Sequence, residues 1–279
     1  MAETIVKIEN LVKRYHELVA VDHFNLTVSK GEILGLLGPN GSGKTTTMNC
    51  LLSLLAYDKG SIEVFGKPMK PDSYDLKRNI GVVFQNVAVF DTLTVQENID
   101  YFCGLYIKDK KLRRQYVAEA VEFAGLSDFV KFYPKKLSGG LLRRLNIACG
   151  IAHKPKLILL DEPTAALSVM QSAEVLAYIK RLRSEGRSVV MVCHDLPDVF
   201  AVSDRIVVIR QGHVTGVHRT VETSYEEIIA EIAGVTTEHE YEEIAENPKF
   251  DSMVRQRKLI DRTISAAVSH GTGHDSPLD

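Results

Sequence analysis

Residues 38–45 carry the clearest chemical signal in the sequence. They read GPNGSGKT, which matches the phosphate-binding pattern G-x-x-x-x-G-K-[ST]. Glycines let successive backbone N–H groups turn towards phosphate oxygens, and the N-terminus of a following helix adds partial positive charge. Lys44 supplies a point charge for the β- and γ-phosphates, and Thr45 supplies a hydroxyl ligand for Mg²⁺. The run therefore predicts a nucleoside triphosphate site of the P-loop kind.

Two carboxylates follow a strongly apolar run further along the chain. Residues 157–160 read LILL, and Asp161 and Glu162 come next. Ligands of open α/β sheets bind at the carboxyl ends of the strands. At that place Asp161 would hold Mg²⁺ through water, and Glu162 would polarise the water that attacks the γ-phosphate. Such a strand end is often merely solvated, but an upstream P-loop makes the catalytic interpretation the stronger one.

A third run, Leu137, Ser138, Gly139 and Gly140, precedes the helical stretch LLRRLNIACGIA. A serine and two glycines at a helix start form an anion site, because backbone N–H groups stay free there. An ordinary helix cap is the alternative, and for an isolated S-G-G run it is the commoner one.

These three runs need a scaffold that alternates strands and helices, and the apolar pattern predicts one: an α/β fold with a largely parallel sheet. Thr94 and Glu97 fit a capping box that starts a helix near Val95. Strands are predicted at 31–37, 61–65, 80–84, 157–160 and 188–193, with a hairpin formed by 205–209 and 213–217. Helices are predicted at 44–55, 110–124 and 170–183, and from Ser224 to Gly234.

Composition narrows the class of protein. Of the 279 residues, 45% are hydrophobic and 25% charged, as in globular proteins. The 34 basic and 36 acidic residues leave a formal charge of -2, so bulk binding of nucleic acid is not expected. No apolar run is long enough to span a bilayer, and the N-terminus does not read as a secretory signal. Four widely spaced cysteines read as free buried thiols, which favours a cytoplasmic location.

Taken together, GPNGSGKT, LSGG and LILLDEP resemble the nucleotide-binding subunit of an ABC transporter, over about residues 4–234. The resemblance implies an α/β P-loop NTPase fold of the ABC ATPase type. It implies an N-terminal antiparallel β element and a helical subdomain inserted at about 86–153. The ATPase domain would then span residues 1–235, followed by an acidic linker, a helix and a disordered tail over 236–279.

The resemblance also implies a head-to-tail dimer that holds two ATP molecules, with Mg²⁺, between its subunits. Gln85 matches the glutamine that senses Mg²⁺ and the attacking water, and His194 matches the switch histidine on the γ-phosphate. Tyr15 matches the aromatic residue that stacks on adenine, although simple packing is the alternative. By the same likeness the catalytic residues are Glu162, His194 and Gln85, and the metal ligands are Thr45, Gln85 and Asp161. The nucleotide contacts are Tyr15, Gly38, Asn40, Gly41, Ser42, Gly43, Lys44, Thr45 and Thr46, with Ser138, Gly139 and Gly140 reaching the partner's nucleotide.

Two positions depart from the family pattern. Leu141 replaces the glutamine that usually follows LSGG, a place where exporter relatives vary. Ser168 replaces the aspartate of the usual EPT-x-x-L-D run, which helps to align the partner's active site. ATP binding is therefore a firmer expectation than fast hydrolysis, and a nucleotide-binding scaffold with little catalysis is the alternative function. A non-transport ABC ATPase is disfavoured, since such proteins usually carry two cassettes or long coiled-coil insertions.

The resemblance suggests a motor that docks on separate transmembrane permease subunits, peripheral on the inner face of the cell membrane. Its partner in the dimer is a second copy or a related ATPase subunit. The run FQNVAVFDTLTVQENIDYFCGLY looks like exporter ATPases, whereas HDLPDVFAVSDRIVVIRQG looks like sugar-importer ATPases. A mosaic origin is one hypothesis for this contrast. Export is the favoured direction, because the residues expected to contact the membrane subunits, 86–94 and about 97–136, belong to the exporter-like part of the sequence.

Residues 236–279 do not match the family pattern. Acidic residues crowd 236–247, and 251–269 read as a helix with a basic exposed side. This tail could pack on the core, pair with a second copy or do nothing, and a solvated, weakly structured tail is the favoured interpretation.

Overall fold

The computed structural model of the protein describes residues 3–234 and 248–270. Strands and helices alternate along these residues. The strands are β1 (Thr4–Tyr15), β2 (Leu18–Ser29), β3 (Ile33–Leu37), β4 (Lys59–Val64), β5 (Lys67–Pro68), β6 (Ile80–Val83), β7 (Leu157–Asp161), β8 (Ser188–Val192), β9 (Arg205–Arg210) and β10 (His213–Arg219). The helices are α1 (Lys44–Leu51), α2 (Tyr74–Lys77), α3 (Val95–Tyr106), α4 (Lys110–Phe123), α5 (Gly139–Ile151), α6 (Val169–Ser184), α7 (Leu196–Val202), α8 (Tyr225–Ala233) and α9 (Pro248–His270).

The larger sheet has the order β10-β9-β3-β8-β7-β6. Neighbours from β9 to β6 are parallel, and β10 adds an antiparallel edge strand. All five residues of β3 and of β8 are buried, which explains why the sequence shows continuous apolar runs there rather than alternation. Because the strands are parallel, the carboxyl ends of β3, β7 and β8 meet at one edge of the sheet.

A second, antiparallel sheet of order β2-β1-β4-β5 covers one side of the fold and confirms the predicted N-terminal β element. Buried side chains of this sheet, of α1 and of one face of the parallel sheet share a single core. Its members include Phe24, Val28, Leu36, Met48 and Leu159. The two sheets and α1 therefore hold the segment between β3 and α1 from both sides.

Helices cover the other face of the parallel sheet, where they share a second core. The predicted capping box is present at the start of α3: Thr94 accepts from the Glu97 N–H, and Glu97 accepts from the Thr94 N–H at 2.8 Å. Helix α3 packs against α4 and α5. The division into an ATPase domain over 1–235 and a helical subdomain over about 86–153 remains a prediction.

The predicted elements correspond closely to the observed ones, with one clear difference in α1. The sequence predicts a helix to about residue 55, but α1 ends at Leu51. Ser53 has φ of 52°, in the left-handed region, and its N–H donates to the Cys50 carbonyl. This tight turn ends the helix early, and hydrophobic periodicity does not reveal it.

Helix α9 packs against α6 and α7, so the favoured interpretation of a solvated tail is wrong for this segment. Ile260 and Ile264 are buried in the helical core, while Arg255, Lys258 and Arg262 are exposed, as the predicted basic side requires. The acidic linker at 236–247 and the predicted disordered end at 271–279 lie outside the described residues.

Two simpler expectations can be compared with the described chain. None of its helices combines the length and the apolar character needed to cross a bilayer. Cys50, Cys103, Cys149 and Cys193 are free and buried, as expected. Burial raises the pKa of the Cys50 and Cys103 thiols to about 11, so neither is a reactive thiolate at neutral pH.

Replacing Ile260 by alanine tests whether α9 is part of the cooperative fold. Ile260 is 0% exposed, so the truncation leaves a cavity and is expected to lower the free energy of unfolding by about 2–4 kcal/mol. Leu259→Ala, on the same helix at 41% exposure, is the matched control and should change it by less than about 1 kcal/mol. Urea unfolding followed by circular dichroism measures both, and equal effects would contradict the docking of α9.

Candidate functional site

The P-loop joins β3 to α1, and two of its glycines, Gly38 and Gly43, could not carry a side chain unless neighbouring backbone moved. A Cβ on Gly38 would lie 2.1 Å from the Ile209 carbonyl oxygen. Gly43 has φ of 106°, and a Cβ there would lie 2.5 Å from the Ala20 carbonyl oxygen. Neighbouring backbone therefore holds the loop closely, and its N–H groups can approach a phosphate without side chains between them.

Lys44 opens α1 and folds back over the loop. Its Nζ donates to the carbonyl oxygens of Gly38 at 2.7 Å and Pro39 at 2.9 Å. Burial lowers the pKa of Lys44, while the charges of Glu162 and Asp161 oppose that shift. Within the described chain no side chain caps the start of α1, so its first N–H groups remain available to an anion.

Asp161 ends β7 and faces the same edge of the sheet as the P-loop. Burial raises the pKa of Asp161, the neighbouring Glu162 charge raises it further, and Lys44 and Arg143 oppose both effects. A cation beside Asp161 would favour its charged form. No cluster of three or more His, Cys, Asp or Glu that could hold a metal occurs among the described residues.

Glu162 and His194 form a close polar pair in the site. Glu162 Oε2 lies 2.7 Å from His194 Nδ1, and the Glu162 carboxylate is largely buried. The Glu162 N–H donates to the Val192 carbonyl at 2.8 Å, which ties the end of β7 to the end of β8. Glu162 also has φ of 47°, a left-handed conformation that is uncommon for a non-glycine residue and is often found at functional sites.

A cleft of about 490 Å³ brings most of the predicted residues together. Tyr15 forms one wall, 44% exposed, with Lys13 Nζ 5.2 Å from its ring centroid. The predicted residues that line the cleft are Tyr15, Asn40, Gly41, Ser42, Gly43, Lys44, Thr45, Thr46, Gln85, Asp161, Glu162 and His194. Leu18, Ala20 and Val192 also line it, and their apolar side chains carry no sequence signal that distinguishes them from core residues.

Ser138, Gly139 and Gly140 lie apart from this cleft, at the start of α5. Ser138 Oγ accepts from the Leu141 N–H at 3.3 Å, so the ordinary helix cap is present. A Cβ on Gly139 would lie 3.3 Å from Leu167 Cδ2, and one on Gly140 would lie 3.2 Å from Gln171 Cγ. The run therefore packs against the beginning of α6 in its own subunit, and its role towards a partner's nucleotide remains a prediction.

Ser168 has a structural role that accounts for a small polar side chain at this position. It is the N-cap of α6, and it forms a capping box with Gln171. Aspartate caps helices about as well as serine, so the cap alone does not require serine. Whether the missing charge slows hydrolysis remains a prediction.

Sequence reasoning missed two buried charged residues beside the site, Arg143 on α5 and Asp198 on α7. Arg143 occupies a buried position in the apolar stretch LLRRLNIACGIA, and a buried arginine within a helical core pattern is the signal that could have revealed it. Asp198 lies four residues after His194, and burial raises its pKa from an ordinary 3.8 to about 6, although a hydrogen bond from Thr164 opposes the shift.

Comparison with known proteins agrees with this geometry. The ABC transporter family matches residues 21–165, more than half of the chain. The linearmycin resistance ATP-binding protein LnrL of Bacillus subtilis is 33% identical over 213 residues, which cover 76% of this chain and 68% of LnrL. The sulfate/thiosulfate import ATP-binding protein CysA of Mycolicibacterium paratuberculosis is 35% identical over 210 residues, which cover 75% of this chain and 58% of CysA.

Among solved structures, the ATP-binding cassette MJ0796, described as a dimer in a post-hydrolysis state with ADP and Pi, is similar at 29% identity. The match has a TM-score of 0.68 and covers 77% of this chain and 99% of that one. The chain therefore belongs to the ABC transporter family, as an ATP-binding subunit of the ABC ATPase type.

The pKa of Asp198 predicts a pH dependence of stability. Because the folded pKa, about 6, lies above the ordinary 3.8, the fold prefers the protonated carboxyl. Its contribution is fully present below about pH 4 and is lost as the pH rises through about 6, up to about 3 kcal/mol in all. Asp198→Asn should remove this part of the decline between pH 4 and pH 7 in urea unfolding. The exposed Asp91→Asn is the control, and parallel pH curves for both variants would contradict the assignment.

Proposed function

We propose that this chain is the ATP-hydrolysing motor subunit of a transporter and acts through separate membrane subunits. The observation that carries the proposal is the Glu162–His194 pair at 2.7 Å, in a cleft shared with the P-loop lysine. A buried carboxylate that is oriented by a histidine, beside a phosphate cradle, is the arrangement that hydrolysis of a γ-phosphate needs.

In the proposed reaction the P-loop N–H groups and Lys44 hold the triphosphate, and Tyr15 stacks on the base. Glu162 accepts the proton of a water whose oxygen attacks the γ-phosphorus. The bond from that phosphorus to the β-phosphate oxygen breaks, and ADP and phosphate result. His194 holds the Glu162 carboxylate in place through its Nδ1. Mg²⁺ would neutralise phosphate charge, with oxygen donors from Thr45, Gln85 and Asp161.

The proposed active form is a head-to-tail dimer, either of two copies or with a related ATPase subunit. The cleft is open to solvent on one side, and Ser138, Gly139 and Gly140 are separated from it within one subunit. A second subunit could bring its own S-G-G helix start over the γ-phosphate and exclude water. The γ-phosphate would then be the switch, because its contacts exist with ATP and are lost with ADP.

We propose that the membrane subunits dock beside the segment after Gln85, which places the motor on the inner face of the membrane. Phe90 and Tyr101 are large, exposed aromatic side chains there, and their ring centroids lie 4.9 Å apart in an edge-on arrangement. Asn98 supports this surface: its Oδ1 accepts from the Phe90 N–H, and its Nδ2 lies 3.0 Å from the carbonyl oxygens of Phe90, Leu93 and Thr94. A rigid aromatic patch of this kind suits a protein partner.

We propose export as the direction, on the exporter-like run after Gln85. LnrL is named for resistance and CysA for import, and the two relatives match at similar identity. The importer-like part begins at about Ala165, and the alignments, of 213 and 210 residues, are longer than the stretch of chain on either side of it, so each relative matches across that point. The mosaic origin remains a hypothesis.

Replacing Glu162 by glutamine tests the motor against the scaffold alternative. The change removes the proton acceptor and should lower ATP turnover at least about 100-fold, with little effect on ATP affinity. Phosphate release measures turnover, and calorimetry measures binding. Glu185→Gln, on an exposed residue, is the control and should keep full turnover. Tight ATP binding without turnover in the unmodified chain would favour a scaffold.

Mixing two inactive variants tests the head-to-tail dimer. Lys44→Ala disables the P-loop, and Ser138→Arg obstructs the helix start that should face the partner's nucleotide. In a mixed dimer one of the two sites combines an intact P-loop with an intact S-G-G run, so an equimolar mixture should recover up to about a quarter of normal turnover. A chain that carries both substitutions, mixed with Lys44→Ala, has no intact site and should stay inactive. No recovery in the first mixture would contradict the arrangement.

A further inference from the structure

Arg143 is a buried cation whose guanidinium contacts backbone carbonyl oxygens of the catalytic region. Its side chain leaves α5 and is 4% exposed. Nη1 donates to the carbonyl oxygens of Gln85 at 2.8 Å and Phe84 at 3.3 Å, and Nη2 donates to the carbonyl oxygen of Glu162 at 2.9 Å. One guanidinium thus joins the segment that carries Gln85 to the residue that would activate water.

The contact with Glu162 comes at a residue that needs support. Glu162 has a left-handed φ of 47°, and its N–H is held by Val192 on one side. Arg143 holds the carbonyl on the other side. Holding both backbone polar groups of Glu162 stabilises its uncommon backbone conformation, and that conformation sets where the carboxylate points.

The other end of the contact is equally well fixed. Asn146 lies one turn further along α5; its Oδ1 accepts from the Ala88 N–H at 3.1 Å, and its Nδ2 donates to the Phe84 carbonyl at 3.5 Å. Residues 84–88 are therefore attached to α5 at several points. Since α5 begins at the S-G-G run, a single rigid helix joins that run, the Gln85 segment and the Glu162 backbone.

The chemistry of the side chain fits this role. Burial lowers the pKa of Arg143, and the Asp161 and Glu162 charges oppose the shift. A guanidinium stays charged in proteins and presents several N–H donors in one plane, so it can reach two separate carbonyls at once. Lysine offers a single nitrogen on a flexible stem and cannot span the same two sites.

We propose that Arg143 is a positioning residue for hydrolysis. It links α5 and the Gln85 segment to the backbone of Glu162 and so holds the Glu162 carboxylate in the orientation that hydrolysis needs. The proposal rests on the hydrolytic function proposed above. It places the effect on the rate of hydrolysis rather than on nucleotide binding, because Arg143 holds the Glu162 carbonyl and does not line the P-loop.

The test compares Arg143→Met with Arg144→Met, since Arg144 is the next residue on α5 and pairs with Glu174 at 3.6 Å instead. Arg143→Met should lower kcat about 30-fold or more while the Kd for ATP stays within about twofold, because small displacements of a catalytic group are costly. Arg144→Met should leave both near normal. Equal kcat values for the two variants, or a parallel loss of ATP binding and kcat in Arg143→Met, would overturn the proposal.

A double-variant cycle separates positioning from general structural support. In a Glu162→Gln background, single-turnover hydrolysis of labelled ATP should fall no more than about threefold on adding Arg143→Met, because the group being positioned is already gone. A fall as large as in the unmodified background would overturn the proposal.

Arg143→Lys serves if Arg143→Met does not fold. Lysine keeps the positive charge but cannot reach the Gln85 and Glu162 carbonyls at once. A lowered kcat with unchanged ATP affinity therefore supports the positioning role, and a full kcat overturns that role. An unmodified chain that binds ATP without turnover would refute the proposed hydrolysis, and the Arg143 role with it. An active unmodified chain with an equally active Arg143→Met would refute the Arg143 role alone.

Discussion

Parallel pairing of β3, β8 and β7 is the constraint on which the catalytic region depends. Leu36 pairs with Val192, and Val192 pairs with Asp161, so the three strands end at the same level of the sheet. The P-loop follows the first strand, the His194 segment the second and Glu162 the third. A shift of one residue in this register would turn each strand's buried side chains to the opposite face, and two cores resist it.

The buried charged groups at this edge of the sheet balance one another. Lys44 and Arg143 bring two positive charges, and Asp161 and Glu162 bring two negative ones. The cations are held by backbone carbonyls rather than by direct ion pairs, which leaves the carboxylates free for water, histidine and metal. Buried cations satisfied in this way avoid the cost of an unpaired charge and keep the reactive groups available.

Local patterns made much of this predictable. The P-loop and the acid pair are short runs whose strand and helix context lies within a few residues, and the Thr94–Glu97 capping box is equally local. Residues that act across the fold were not predictable in this way. Arg143 meets Gln85 and Glu162 only because α5 packs against β6, far from it in sequence, and a sequence pattern does not contain that contact. The docking of α9 depends likewise on Ile260 finding a surface made by α6 and α7.

The Lys44 side chain bends back onto the P-loop, and this arrangement affects how a nucleotide would bind. The ammonium is already withdrawn from water and shared between the Gly38 and Pro39 carbonyls. An arriving phosphate would therefore replace two neutral acceptors of the ammonium rather than its hydration shell. Most of the cost of dehydrating the ammonium is thus met when the chain folds, and little of it when the nucleotide binds. By mass action the chain should then be more resistant to unfolding when loaded than when empty, which links its lifetime in a cell to the supply of nucleotide.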